Sequence, residues 1–513
     1  MTKPHTKPDP TGPAAPRRNP AVTIIAAALG LVVAAQILLF ALHSWRFTTF
    51  PFQLDYGEGP ILQIALRFAH GESLYPPLNQ GYPYVIASYM PLYYLVCGLA
   101  AKLTGPSFLG GRLISVLSAL VIAICCGMVV WDGTRRRFPA FLAGGLVLAM
   151  PIVMVWASLM RTDMVALALS VAGFWLFQRG RRTAGVVLFA LAVMTRWTNV
   201  ASIAAVLAGL LLQRQWKQAL GWGAAQAALI LLLVFGANAA THGAMLEQLR
   251  VHTSSSLGKS WTWGQVGLLF SVATQEWPIH FVLGAVGTVW CAIRRPHRTL
   301  ALYYAAAWAI FFTSGRIGST FNYLMEPLLA GAMAVGVMWA ELARLDLAKV
   351  SARYRPVASA VGLAVLVGMS LALMMQAVDT DLRLSYSISL LRPKADGASS
   401  AYVVDRIREA PGPTLCEDVG LQILAGREVP LDPFEFTQLA HQQTFDPEPV
   451  FAEVRAGKFP LIVLRFNPEK TGPDKDTGDW AAGRWPNGII SALRERYVLA
   501  EEREPYLLYV PKQ

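Results

Sequence analysis

The sequence predicts a polytopic α-helical membrane protein of about eleven spans, with a small C-terminal α/β or α+β domain outside the membrane. Three observations predict this class. The chain is 54% hydrophobic and only 15% charged. Its long apolar runs are separated by short basic clusters, and after Ala377 the composition changes to mixed polar sequence.

Residues 1–20 are Pro-rich, carry Lys3, Lys7, Arg17 and Arg18, and offer little that could pack, so they read as a disordered cytoplasmic leader. Ala21 to Leu42 is apolar for about 22 residues, which at ~1.5 Å per residue exceeds the ~30 Å hydrocarbon core. His43, Ser44, Trp45 and Arg46 follow directly instead of a small-residue cleavage site, so this segment reads as an uncleaved anchor. Further spans are read near Gly110 to Trp131, Phe138 to Ala157, Met164 to Phe177, Ala184 to Met194, Val200 to Leu212 and Ala219 to Ala240. Four more lie near Ile279 to Ile293, Thr299 to Thr313, Tyr323 to Ala340 and Pro356 to Ala377. Residues 21–377 thus form the transmembrane domain, with 44–109 as its first outer loop, and 378–513 form the extramembrane domain.

Pro91 to Lys102 is apolar, but about 12 residues reach only ~18 Å as a helix, too short to cross. The positive-inside rule gives the same answer. With this segment outside the membrane, one side receives nineteen basic residues, in the leader, Arg135 to Arg137, Arg179 to Arg182, Arg214 with Lys217, Arg294 to Arg298 and Arg344 to Arg355. The other side's loops receive nine: Arg46, Arg67, Lys102, Arg112, Arg161, Arg196, Arg250, Lys259 and Arg316. Counting acids, the first side nets +15, the outer loops +2 and the C-terminal domain −5, which together make the formal net charge of +12. The basic excess is therefore a topology signal, and nucleic-acid binding has no support in it. By the same count Ala184 to Met194 and Val200 to Leu212 are two short helices meeting near the outer surface. Irregular backbone at membrane depth is tolerated where it lines a wet cavity, which is where Thr195 to Asn199 are expected.

In the C-terminal domain, strand-like runs at Pro413 to Cys416, Leu461 to Phe466, Tyr497 to Glu501 and Tyr506 to Val510 alternate with helical patterns near Tyr402 to Glu409 and Val450 to Arg455. Cys97, Cys125, Cys126 and Cys291 lie in membrane segments and Cys416 stands alone in the domain, so no metal or redox motif and no internal disulfide is expected.

The first outer loop carries the chemistry. Phe50-Pro51-Phe52-Gln53-Leu54-Asp55-Tyr56-Gly57-Glu58-Gly59-Pro60 sets two carboxylates at the outer boundary, and its glycines and prolines prevent a continuous helix. A short amphipathic helix bearing Ile61, Ile64 and Phe68 follows and stops at Gly71. A solvated loop acid or a helix cap is the plain alternative for Asp55. Arg161-Thr162-Asp163 and Arg196 fall on the next two outer turns, however, so three successive turns bring opposite charges to one membrane depth, where ionisable groups are expensive and usually functional.

These features, in order with Pro91-Leu92-Tyr93-Tyr94, Gly111-Arg112-Leu113-Ile114-Ser115 and Met194-Thr195-Arg196-Trp197, resemble the GT-C membrane glycosyltransferases. The match is nearest to glycosyltransferase family 39 and its relatives, the protein O-mannosyltransferases and lipid A aminoarabinose transferases. It covers roughly Leu42 to Leu212. The resemblance implies inverting transfer of a sugar from a polyprenyl-phosphate donor to a glycan, lipid or protein acceptor at the outer face of a bacterial inner membrane. It puts the family's first-loop Asp, which assists or deprotonates the acceptor, on Asp55. The second-loop acid falls on Asp163, which in the family orients the acceptor or holds a metal. Tyr56 and Gly57 separate Asp55 from Glu58, a departure from the adjacent Asp-Glu pair of some relatives, and this leaves the role of Glu58 open as a third catalytic candidate. A divalent cation is needed by some relatives and not by others, and Asp55 and Asp163 are its candidate ligands here.

Displacement at an anomeric carbon needs a carboxylate to take the acceptor proton and a cation to stabilise the departing phosphate. Arg196, Lys259 and Arg316 are the outer-face candidates for that phosphate, each with snorkelling at a helix end as the alternative. Trp261 and Trp263 read as interface anchors, and His43, His70, His242 and His252 as solvated loop residues without metal-ligand spacing. Glu417-Asp418 and Asp432-Pro433-Phe434-Glu435-Phe436 suggest ligand contact, although solvated turns account for them better. Two other function classes compete: a transporter or flippase of lipid-linked sugars, against which stands the lack of a repeated half, and a non-catalytic scaffold, for which Asp55 is dispensable.

Overall fold

The computed structural model describes residues 20–513 apart from 79–82, 258–260, 316–318, 345–350, 352, 396, 442–445 and 471–483. The anchor is α1 (Pro20–Thr48). The first outer loop holds two short helices, α2 (Glu58–Ala69) and α3 (Pro91–Thr104). Then follow α4 (Leu109–Thr134), α5 (Arg137–Ala149), α6 (Pro151–Ala157), α7 (Thr162–Gln178), α8 (Arg182–Thr195), α9 (Ala201–Leu212) and α10 (Trp216–Ala240). After α11 (Ala244–Leu257) and α12 (Trp263–Glu276) come α13 (Pro278–Ile293), α14 (Arg298–Phe311), α15 (Met325–Leu342) and the long α16 (Arg355–Ala395).

Every segment read as a span is helical. Five stretches are long and apolar enough to cross a membrane alone: Pro20–Thr48, Leu109–Thr134, Trp216–Ala240, Phe321–Leu342 and Arg355–Asp379. Two bent pairs, α5 with α6 at 66° and α12 with α13 at 98°, raise the number to seven. The apolar helices α7, α8 and α9 are shorter, so length and composition alone do not reach eleven crossings.

Two details differ from the sequence reading. Phe138 to Ala157 is not one straight span. It breaks at Met150, because Pro151 has no N–H to continue the ladder and instead opens α6. The stretch before α13 is not plain loop either: α12 is started by the Thr262 hydroxyl, which accepts from the Gln265 N–H at 3.2 Å.

α15 is apolar all round and almost wholly buried, the mark of a central helix. Small residues let its neighbours approach: Gly331 faces Gly284 of α13, and Gly336 faces Pro139 and Ala143 of α5. α10 instead exposes Leu220, Leu231, Leu232 and Phe235, as expected of a lipid-facing helix. Outside the bundle, α3 begins at Pro91 and ends at Gly105, whose φ of +68° suits glycine alone.

The C-terminal domain opens with α17 (Ala398–Glu409) and β1 (Thr414–Cys416), continues through α18 (Val419–Leu424), α19 (Pro433–His441), α20 (Glu448–Arg455) and β2 (Leu461–Leu464), and closes with α21 (Asn487–Arg496), β3 (Tyr497–Arg503) and β4 (Tyr506–Pro511). The sheet order is β1-β2-β4-β3. β1 and β2 run parallel, Leu415 opposite Ile462, and a parallel pair requires the crossover that α18 to α20 supply. β4 joins antiparallel, with Val463 opposite Leu508, and the β3–β4 pair shifts register between Leu499 and Glu501. The parallel pair β1 and β2 is buried throughout, which explains the apolar run of β2. The boundary read at 377 falls inside α16, which continues to Ala395.

Candidate active site

The turn after α1 is built from its own backbone. The Glu58 N–H donates to the Asp55 carbonyl at 3.1 Å, and the Gly57 N–H donates to Asp55 Oδ2 at 2.9 Å. This fixes the Asp55 carboxylate without using its Oδ1, which carries no hydrogen bond among the described residues, and the side chain is 29% exposed. Arg161 reaches the same carboxylate from the second outer turn, Nη1 to Oδ2 at 3.1 Å. It passes over Gly57 to do so: a Cβ on residue 57 would coincide with the guanidinium. Gly57→Ala is therefore expected to displace Arg161 and to abolish most turnover while leaving the bundle folded. Wild-type turnover in a variant of unchanged thermal stability would show that the Arg161–Asp55 pair is dispensable.

Glu58 has a different fate from the one considered for it. It is fully buried. Its Oε1 accepts from Arg112 Nε and from the Met160 N–H, both at 2.8 Å, and its Oε2 accepts from Arg112 Nη2 at 2.8 Å and from the Leu54 and Asp55 N–H groups at 2.7 and 3.2 Å. Burial works against ionisation, but Arg112 and these donors outweigh it and hold the carboxyl below the ordinary range. The other Arg112 donors go to the carbonyls of Phe47, Phe50 and Phe52. No oxygen of Glu58 is left for a substrate, which corrects its candidacy as a catalytic group. It is the buried tie that shapes the turn carrying Asp55.

Asp163 opens α7 and is 2% exposed, bonded to Arg196 and, at 2.7 Å, to Asn322 Nδ2. Arg196 lies in the break between α8 and α9 and stacks on Tyr323, 4.6 Å from the ring centroid. The expectation that this break lines a cavity holds for Arg196, Trp197 and Thr198. Lys259 and Arg316 lie outside the described residues. The two proposed metal ligands each face an arginine, and among the described residues no group of three or more His, Cys, Asp or Glu is arranged to hold a metal ion.

Arg161 and Arg196 face a common cavity of about 130 Å³. It is lined by Tyr56, Gly57 and Pro60 of the first turn, by Tyr89 and Tyr94, and by a wall of Asp432, Phe434, Glu435 and Gln438 from the C-terminal domain. Tyr56 ties the halves together: its ring lies 5.6 Å from the Arg161 guanidinium, 4.6 Å from that of Arg484 and 5.8 Å from Phe434. Gln53 bonds both Asp418 and the Gly420 N–H, and Tyr84 bridges Leu431, so the domain is seated directly on the first loop.

The acidic segments of that domain are accordingly not solvated turns. Glu417 is buried against Arg484 at 3.0 Å, Asp418 accepts from the Tyr506 hydroxyl at 3.1 Å, and Glu435 accepts from Ser88 Oγ at 2.5 Å and faces His252 at 3.2 Å. His252 likewise lines the cavity, half-buried against Glu435. Their partners lie 67 to 347 positions away, so no local pattern reveals them. Arg161 was visible in its Arg-Thr-Asp triplet, yet its pairing with Asp55 depends on how two outer turns pack.

No protein-family model matches the chain, and no curated protein matches it. Solved structures do. Cupriavidus metallidurans ArnT in the apo state aligns over 94% of this chain and 98% of its own at 16% identity and a TM-score of 0.59. The same protein bound to undecaprenyl phosphate aligns over 93% and 97%, at 16% identity and a TM-score of 0.60. The Archaeoglobus fulgidus oligosaccharyltransferase in complex with Zn and sulfate aligns over 92% of this chain and 71% of its own, at 12% identity and a TM-score of 0.50. The chain therefore has the fold of ArnT, over nearly the whole length of both chains.

Proposed function

We propose that this protein is an inverting glycosyltransferase that moves a sugar from a polyprenyl-phosphate donor to an acceptor at the outer face of the bacterial inner membrane. One observation carries the reading: of the three candidate carboxylates Asp55 is the exposed one, its side chain 29% exposed against 2% for Asp163 and 0% for Glu58, its Oδ1 is unbonded among the described residues, and it adjoins Tyr56 and Gly57, which line a cavity together with Arg161 and Arg196. A base with a free lone pair next to paired cations is what displacement of a phosphate from an anomeric carbon requires. That ArnT is solved with undecaprenyl phosphate supports a donor of this class. In this scheme the donor phosphate lies against Arg196 and Arg161, Asp55 Oδ1 takes the acceptor proton, and the acceptor oxygen attacks the anomeric carbon opposite the departing phosphate.

The direct test is purified protein in liposomes with a radiolabelled undecaprenyl-phosphate sugar. Release of undecaprenyl phosphate together with a labelled acceptor supports transfer. Movement of the intact donor across the bilayer with no release indicates a transporter of lipid-linked sugars instead.

Two predictions follow from the placement of the charges. Arg196→Ala is expected to weaken undecaprenyl phosphate binding about 10- to 100-fold, because a charge-assisted hydrogen bond is lost, and Arg196→Lys is expected to fall between it and wild type, since lysine keeps the charge without the planar fork. Equal affinity in all three forms removes Arg196 from the phosphate site. The basic clusters put the C-terminal domain outside the cytoplasm, so an alkaline phosphatase fusion after Gln513 should be active. An inactive fusion, paired with an active cytoplasmic reporter at the same position, reverses the orientation.

A further inference from the structure

A donor phosphate held by Arg161 and Arg196 leaves part of the cavity lining without a role, and that part belongs to the C-terminal domain. Asp432, Phe434, Glu435 and Gln438 sit at the start of α19, where spacings of three and four residues turn Phe434, Glu435 and Gln438 to one side of the helix. Asp432 caps this helix. Its Oδ1 accepts from the Phe434 and Glu435 N–H groups at 2.9 and 3.3 Å, while its Oδ2 has no hydrogen bond among the described residues although the residue is only 8% exposed. Gln438 lines the cavity with an amide that makes no hydrogen bond among the described residues. Glu435 is held rigid from two directions, by Ser88 of the first loop and His252 of α11.

The chemistry of this wall is that of hydroxyl recognition. A carboxylate accepts, an amide does both, and an aromatic ring covers an apolar face. Burial first, and then the neighbouring Glu435 charge, push Asp432 up to about 7, so near neutral pH it can donate as well as accept. The wall is not poised for a cation. Glu435 already has the His252 ring at 3.2 Å, and burial raises the Asp432 carboxyl to about 7.

We propose that the start of α19 is the glycosyl subsite of the donor, in which Glu435, Asp432 and Gln438 take the hydroxyls of a neutral sugar and Phe434 packs against its ring. This rests on the transferase reading of the cavity. The donor and not the acceptor is assigned here because the sugar is bonded to the phosphate and must lie in the same cavity as the arginines. Asp55, which would meet the acceptor, does not line this wall. The soluble domain thereby sets sugar specificity, although the transferred phosphate is handled by the membrane bundle.

The test uses full-length protein in nanodiscs and compares binding of undecaprenyl phosphate with that of undecaprenyl phosphate bearing a neutral hexose, a neutral pentose or an amino pentose. Wild type should bind at least one neutral-sugar donor more tightly than the bare lipid. Glu435→Gln should reduce that preference about 10- to 100-fold, as removal of a hydrogen bond to a charged group does. Gln438→Ala should reduce it about 10-fold, with bare-lipid affinity unchanged in both variants. Gln438 is partly exposed and unbonded among the described residues, so its variant folds whatever the fate of the other. Variants that keep the full sugar preference overturn the proposal, as does equal loss for lipid and donor, or a wild type that prefers only the amino pentose. Arg196→Ala separates the two readings, because a failure there to weaken the bare lipid strikes the phosphate site and not the sugar subsite.

Discussion

Asp55→Asn is expected to lower glycosyl-transfer turnover by roughly 10²- to 10⁴-fold, the usual worth of a general base, in a protein that remains folded and still binds donor. Asparagine is nearly isosteric and can keep the hydrogen bond from the Gly57 N–H, so the turn has no reason to open. Arg161 loses its carboxylate but retains the Tyr89 hydroxyl at 3.3 Å and the rings of Tyr56 and Tyr89. What disappears is the basicity of Oδ1. The comparison must be made in purified protein at equal abundance, with thermal unfolding and undecaprenyl phosphate affinity measured alongside turnover. Unchanged turnover, or a loss explained wholly by poor accumulation, would reduce Asp55 to a turn-forming residue.

Glu58→Gln is expected to act on stability, lowering it by about 3–5 kcal/mol, because it leaves Arg112 charged and uncompensated where both side chains are fully buried. The sign of the pH dependence follows from the same pair. The folded-state carboxyl lies below its ordinary range, so the contribution is present at neutral pH and is lost as pH falls through that depressed value. Thermal unfolding and membrane abundance should therefore drop, while turnover per folded molecule should fall far less than in Asp55→Asn. A variant of wild-type melting temperature with turnover reduced a hundredfold or more would return Glu58 to the catalytic set. The two carboxylates are three residues apart in one loop, and these two substitutions read out opposite roles.

The sequence by itself determined what local patterns and global charge balance control. Apolar length placed the helices. Alternating composition located all four strands of the C-terminal domain, because β1 and β2 are continuous apolar runs and β3 and β4 are bounded by polar turns. The motif order pointed to the GT-C fold, and Asp55, Asp163 and Arg196 could be named because opposite charges on three outer turns are costly at the membrane boundary. Only the tertiary structure decided which of these charges meet. Glu58 and Asp55 are indistinguishable as letters, yet Glu58 is closed off by Arg112, 54 positions away, and by the Met160 N–H, whereas Asp55 is left open. The wall formed by Asp432 and Glu435 is illegible in the same way. Its partners, Ser88 and His252, approach from distant segments, and packing against the first loop and α11 turns what reads as a solvated acidic stretch into part of the cavity. Pairing of side chains across long loops depends on packing geometry, and packing geometry has no periodicity for a sequence pattern to display.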